Sequence, residues 1–141
     1  MLRRVFLLST LAPVLVADPR QELYDLLATM ASGLSEENPN QFLDAFDRSM
    51  QGYDGLAANV RALIQQVEVM STIELIDDSG DASRHTMRVD WLLQLRNKDD
   101  RASVLRRQKT VECRFEKQKR KWRVVAFAPL DLFAPPRTQH P

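Results

Sequence analysis

The 141-residue sequence holds one cysteine, two histidines and four glycines, and each scarcity closes off a class of chemistry. A lone thiol, Cys113, cannot form an internal disulfide in a monomer. Its place in an apolar alternation marks it as a buried, inert side chain. Histidine occurs only at 85 and 140, so the paired His and Cys spacings of a zinc site are missing. The glycines are too scattered to build a phosphate-cradling loop ahead of a helix. Asp77-Asp78-Ser79-Gly80-Asp81 has the composition of a calcium loop, but the twelfth position would be Arg88 where a bidentate glutamate is required. That segment is expected to be a turn. No metal, no cofactor and no catalytic residue is expected.

Long apolar runs are also missing. The longest, Val5 to Val16, falls short of the roughly 18 residues that cross a bilayer. Arg3 and Arg4 precede it, and the small Ala17 follows it ahead of Asp18, which is the pattern of an export signal. Residues 1–17 are expected to be removed, leaving a periplasmic or secreted chain from Asp18 to Pro141 with no stable membrane insertion. Arg3-Arg4-Val5-Phe6-Leu7 is similar to a twin-arginine motif. Five matching positions in a short biased segment weigh less than the general signal pattern, so the Sec route is expected over Tat. Leu15, three residues before the cut, is bulkier than the small residue preferred there, and no cysteine stands near the cut to carry a lipid.

The charges are balanced in total but not along the chain. From Asp18 to Ala82 thirteen acids face three arginines, whereas from Arg96 to Arg123 twelve cations face four acids. Such polarity can draw a polyanion, or let two layers of one fold attract each other. The basic residues are interleaved with acids and fall on one strand face, so attraction between layers is the expected meaning and nucleic acid is not an expected partner. Lys117-Gln118-Lys119-Arg120-Lys121 is expected to be a charged hairpin tip.

Residue periodicity divides the mature chain in two. Asp18-Pro19-Arg20-Gln21 has the form of a helix start, followed by Leu23, Leu26, Leu27, Met30, Ala31 and Leu34 on one stripe. Asn38-Pro39-Asn40-Gln41 opens a shorter helix carrying Phe42, Phe46 and Met50. A third helix from near Asp54 carries Leu56, Val60, Leu63, Ile64 and Val67. Beyond Val67 the period shortens to two, predicting strands at 67–76, 84–96, 102–116 and 122–128 joined by short turns as an antiparallel meander. Alternation places His85, Met87, Val89, Trp91, Leu93, Leu95, Val111, Cys113, Phe115, Trp122, Val124 and Ala126 on the face the helices cover. Arg107 and Lys109 share that parity and are expected at its rim. Leu130 to Phe133 should tuck against the domain, with 134–141 a flexible tail.

The fold class expected is α+β, three N-terminal helices packed on a curved four-stranded antiparallel sheet. This order resembles the nuclear transport factor 2-like superfamily, the cone-shaped, cystatin-like group that includes SnoaL-like proteins, over Asp18 to Phe133. The likeness rests on the amphipathic first helix, on Asn40-Gln41-Phe42-Leu43-Asp44-Ala45-Phe46, on the third helix, and on the strand beginning Met87-Arg88-Val89-Asp90-Trp91. It implies a cone whose enzymes use Asp, His or Tyr side chains for acid–base work. Here the inner face reads as apolar, with His85 at a strand start and Tyr24, Asp47 and Tyr53 near the mouth. The candidate pocket is Phe46, Met50, Tyr53, His85, Met87, Trp91 and Phe115. The expected function is binding without catalysis, either of an apolar small molecule in the cone or of a partner through the sheet, including a homodimer. An isomerase- or hydratase-like enzyme, or a polyanion- or envelope-binding module, is the alternative.

Expressed in a bacterial host with its leader intact, the protein is predicted to reach the periplasm and to begin at Asp18, as read by N-terminal sequencing. Full-length chain in the cytoplasm would contradict this. Replacing Arg3 and Arg4 by lysine should leave export intact by Sec and abolish it by Tat.

Overall fold

The structure, a computed structural model, describes residues 18–137. The segment 1–17, expected to be an export signal, and the end of the tail, with His140, lie outside the described residues. Helix α1 spans Pro19–Ser35, α2 Pro39–Leu43 and α3 Tyr53–Gln66. Four strands follow, β1 Val67–Gly80, β2 Arg84–Asn97, β3 Val104–Gln118 and β4 Lys121–Ala128, in a sheet of order β1-β2-β3-β4 with every neighbouring pair antiparallel. A short 3-10 turn, Leu130–Phe133, closes the described chain.

Local chemistry accounts for the helix ends. Asp18 Oδ1 accepts from Arg20 N, Pro19 occupies the first turn where no N–H is needed, and α1 runs on to Ser35. Asn38 caps α2 in the same way through Gln41 N. α2 is shorter than expected, because it ends at Leu43. Phe46 lies beyond it in a parallel bridge to Val124, with Asp47 N donating to the Val124 carbonyl and Val124 N to the Ala45 carbonyl. Phe46 and Met50 are buried all the same. The sheet, not helical periodicity, holds that segment. α3 stops where Val67 turns extended and starts β1.

Inside the sheet, parity holds along the whole of β2: His85, Met87, Val89, Trp91, Leu93 and Leu95 are buried, and their neighbours are not. On β3, Val111, Cys113 and Phe115 join them. Two irregularities shift parity elsewhere. Between Leu75 and Asp77 the register with β2 slips by one residue, so Asp78 rather than Asp77 shares a face with Met87. Between Arg114 and Phe115 the register with β4 slips at Val125, so Phe127, opposite Cys113, is the core residue and Ala126 is not. Each slip is a β-bulge, in which one extra residue reverses the facing of everything beyond it.

β1 also runs further than its composition suggests. Asp77, Asp78, Ser79 and Gly80 are not a turn but the end of the strand, paired with Arg88, Met87, Thr86 and His85. The turn is Asp81 to Ser83, where Asp81 Oδ1 accepts from Ser83 N, Ser83 Oγ and Arg84 N. Gly80 sits at φ 136°, a conformation L side chains rarely adopt.

The core lies between the helices and the inner sheet face. At its centre Phe42, Phe46, Trp91, Phe127 and Phe133 form one aromatic cluster, with contacting centroids 4.9 to 6.0 Å apart. Most pairs are tilted or edge-on, the arrangement that ring quadrupoles favour. Trp91→Ala is predicted to destabilise the fold by about 3 to 5 kcal/mol, and Phe127→Ala by a similar amount. Asp90→Ala removes only an exposed contact with Gln108 and should cost under about 1 kcal/mol. Urea denaturation measures all three. A costly Asp90→Ala beside a harmless Trp91→Ala would mean that the faces are reversed.

Candidate functional site

The first bulge brings a pair of polar side chains together on the inner face near one end of the sheet. His85 Nε2 lies 2.6 Å from Asp78 Oδ2, with both side chains almost wholly buried. Arg20 Nε, from the first turn of α1, donates to Asp78 Oδ1 at 3.1 Å. His85 Nδ1 is 3.4 Å from the Asp81 carbonyl. The hydrogen bond with His85, and then the one from Arg20, hold the Asp78 carboxyl below the usual aspartate range. A His backed by a carboxylate is the arrangement of many general bases. Here Nε2 is committed to Asp78 and the ring is 8% exposed, so the pair ties α1 to the β1–β2 hairpin.

Beside it, Trp122 Nε1 donates to Glu22 Oε1 at 2.9 Å, and Lys117 Nζ stands 3.6 Å from the same oxygen and 5.4 Å above the Trp122 ring. α1 is thus fastened to three strands at one end of the sheet. Two cavities flank this region. One of about 400 Å³ is lined by Gly80, Arg84, His85, Arg114, Phe115 and Glu116. The other, about 640 Å³, lies between α1, α2 and the start of β4, with Leu26, Asn38, Gln41, Asp44, Arg120 and Trp122 among its walls.

Of the candidate pocket residues, His85 and Phe115 reach the first of these cavities. Phe46, Met50, Met87 and Trp91 pack in the core, and Tyr53 starts α3, partly buried against it. They are neighbours, but the space among them is filled. Phe133 fills it, touching Phe42, Trp91 and Phe127. The segment carrying Phe133 is held by Arg107, whose Nη1 donates to the carbonyls of Leu132 and Ala134 at 2.9 and 2.6 Å. Burial lowers the Arg107 pKa from its ordinary value. Arg137 N donates to Gln66 Oε1, and Gln66 Nε2 donates to the Arg137 carbonyl, which ties the start of the expected tail to α3.

The remaining mouth candidates have structural partners. Tyr24 donates its hydroxyl to the Ile73 carbonyl on the outer edge of β1. Asp47 accepts from Gln118, Ser49 N and Ser49 Oγ, which lower its pKa to about 2. Burial pushes the Cys113 thiol upward, leaving it inert. Among the described residues no three His, Cys, Asp or Glu side chains converge on a point that would hold a metal. Among the described residues Trp91 Nε1 is buried without a hydrogen-bond partner. Such an orphan costs about 1 to 3 kcal/mol.

Sequence reasoning missed Asp78, Phe127 and Arg107's grip on the C-terminal segment. Gly80 ahead of the Asp81–Ser83 cap was a usable signal for the first. It ends the strand at Gly80, and counting back from the Gly80–His85 pair puts Asp78 inside. Nothing local marks the Val125 bulge.

No protein-family profile matches the chain, and no curated protein does. Solved structures do. A conserved protein from Planctomyces limnophilus superposes with a TM-score of 0.70 at 7% identity, over 77% of this chain and 91% of that one. A nuclear transport factor 2-like superfamily protein from Salmonella enterica gives 0.62 at 14% identity, over 85% and 93%. A protein of unknown function with a cystatin-like fold from Nostoc punctiforme gives 0.58 at 20%, over 80% and 90%. At these identities the likeness is one of fold. The chain has the cystatin-like α+β fold of nuclear transport factor 2-like proteins.

Asp47, Asp78 and Asp81 all have depressed pKa values in the folded chain. Their stabilising contribution is complete above the unfolded-state value of about 3.9 and is lost as the pH falls through the folded values. The urea midpoint is therefore predicted to drop steeply from about pH 4 toward 2, and Asp47→Asn should lower it at neutral pH while flattening that drop. An unchanged acid limb in Asp47→Asn would show that this carboxylate contributes nothing.

Proposed function

We propose that this chain is an exported, non-enzymatic domain that works by binding a protein partner at its surface. The observation that carries the reading is the filled cone. An acid–base enzyme of this architecture needs a polar group within reach of a substrate in a dry pocket. In this chain the corresponding space holds Trp91, Phe127 and Phe133, and the nearby His85–Asp78 pair bonds internally and to Arg20. Surface binding remains as the use of a rigid scaffold with cavities and a sheet edge along its rim. The export signal supports an extracytoplasmic setting for that partner.

A second reading is favoured by the unpartnered Trp91 Nε1. If the Leu130–Phe133 turn withdrew, an apolar molecule carrying one acceptor would fit the vacated space and satisfy that N–H. Arg107 and Gln66 oppose the withdrawal through their hydrogen bonds to Leu132, Ala134 and Arg137.

Native mass spectrometry of the mature protein, purified from the periplasm without extraction, separates the two. The partner-binding reading predicts the bare mass of the chain. Phe133→Ala, which vacates the centre of the cluster, should then bind indole or naphthalene that the parent excludes, detected by calorimetry. A stoichiometric small molecule retained by the parent would replace the partner-binding reading with the ligand-in-cone reading.

A further inference from the structure

One sheet edge is left open for half its length. β4 pairs with β3 only from Glu112 to Gln118, so among the described residues β3 from Val104 to Val111 has β2 on one side and no strand on the other. Asn97 N donates to the Ser103 carbonyl across the β2–β3 turn. In an antiparallel ladder the bonded direction alternates. Odd-numbered residues of this stretch therefore face β2, and Val104, Arg106, Gln108 and Thr110 turn their N–H and C=O groups outward. All four are exposed. The opposite edge of the sheet is treated differently: α1 lies along β1, and the Tyr24 hydroxyl takes the Ile73 carbonyl.

The open edge has a definite chemistry. Between Val104 and Val111 there are three cations, Arg106, Arg107 and Lys109, and no acid. Arg107 is occupied by the C-terminal segment. Among the described residues Arg106 and Lys109 have no ion-pair partner, and their register positions put them on opposite faces of the strand. Val104 and Leu105 are each 46% exposed. Leu105 also walls a cavity of about 250 Å³ with Val67, Leu95 and Pro136. A second copy pairing through the same edge would bring these cations against their own kind. A polyanion lying across the outer face would meet Asp77, Asp90 and Glu112.

We infer that Val104 to Thr110 is a docking edge for an extended acidic segment of a partner protein, which adds as a fifth strand. Its backbone bonds to the outward groups of Val104, Arg106, Gln108 and Thr110, its carboxylates meet Arg106 on one face and Lys109 on the other, and an apolar side chain rests by Leu105. This rests on the partner-binding reading above and names its surface.

The test uses the mature chain and an eight-residue peptide of valine and threonine with two glutamates three positions apart, which an extended chain presents on opposite faces. Its controls are the same peptide with lysine in place of glutamate and a peptide of the first composition with the glutamates in one block. Calorimetry near physiological salt should detect binding of the spaced acidic peptide only. The double variant Arg106→Glu, Lys109→Glu should weaken it by roughly tenfold or more. So should Gln108→Pro, which deletes an outward N–H without changing charge and is tolerated on an open edge. Should that variant fold poorly, amide exchange on the parent decides: bound peptide should protect the N–H groups of Val104, Arg106, Gln108 and Thr110. Absence of binding, equal binding of the block peptide, or unprotected edge amides would overturn the inference. So would self-association of the free chain that Gln108→Pro abolishes, or heparin binding that matches the peptide. With the native mass bare, such a failure removes this surface alone, whereas a small molecule retained in the core removes the reading it rests on.

Discussion

Keeping the inner face of the sheet dry is the constraint on which the other features depend. Strand β2 presents six alternate residues to that face without a break, and Trp91 at its middle is the largest of them. A buried ring of this size is stable only if apolar atoms meet it on every side. Phe127 and Phe133 meet its edges, and Phe42 and Phe46 extend the layer toward the helices. Supplying Phe133 requires the chain to return after β4, and that return leaves carbonyls near the core rim. Arg107 donates to two of them. A side chain of rim parity thus becomes a structural clamp.

Charge follows the same layering. Acids of the helical half and of β1 meet cations of β3 and of the β2–β3 turn in Glu22–Lys117, Glu37–Lys98 and Glu68–Arg101. These pairs are partly or largely exposed, and solvent screening leaves each a weak contributor to stability. Their value is orientation, because they lie at the ends of α1 and along β1 where the layers must meet in one register. Three of the twelve cations between Arg96 and Arg123 are used in this way. In the stretch of β3 beyond β4, cations stand without acids.

In this chain the space between the helices and the inner sheet face is closed by one four-residue turn and the ring it inserts. Nearby stands the His85–Asp78 pair. It has the composition of an acid–base site, yet both groups are committed to holding α1 on the hairpin.

Periodicity and capping chemistry were enough to place three helices ahead of four strands, to start α1 at Pro19 and to sort β2 into its two faces. Those features are local: a cap is decided by neighbouring side chains and strand parity by alternation within one segment. The resemblance drawn from that order matches the fold. Alternation could not say where it breaks. The bulges at Ile76 and Val125 exist because two strands must curve together, and a residue's neighbours along the chain do not register that demand. Each slip reversed a facing, bringing Asp78 to His85 and exchanging Ala126 for Phe127. Phe46 and Met50 were legible as core residues, but the bridge that holds Phe46 to Val124 was not, since a parallel bridge has no signature in either partner alone. Whether the cone was open depended on Phe133, a residue whose tucking was readable but whose destination was not. Its position is set by packing among Phe42, Trp91 and Phe127, which come from three different elements and meet only in the folded chain.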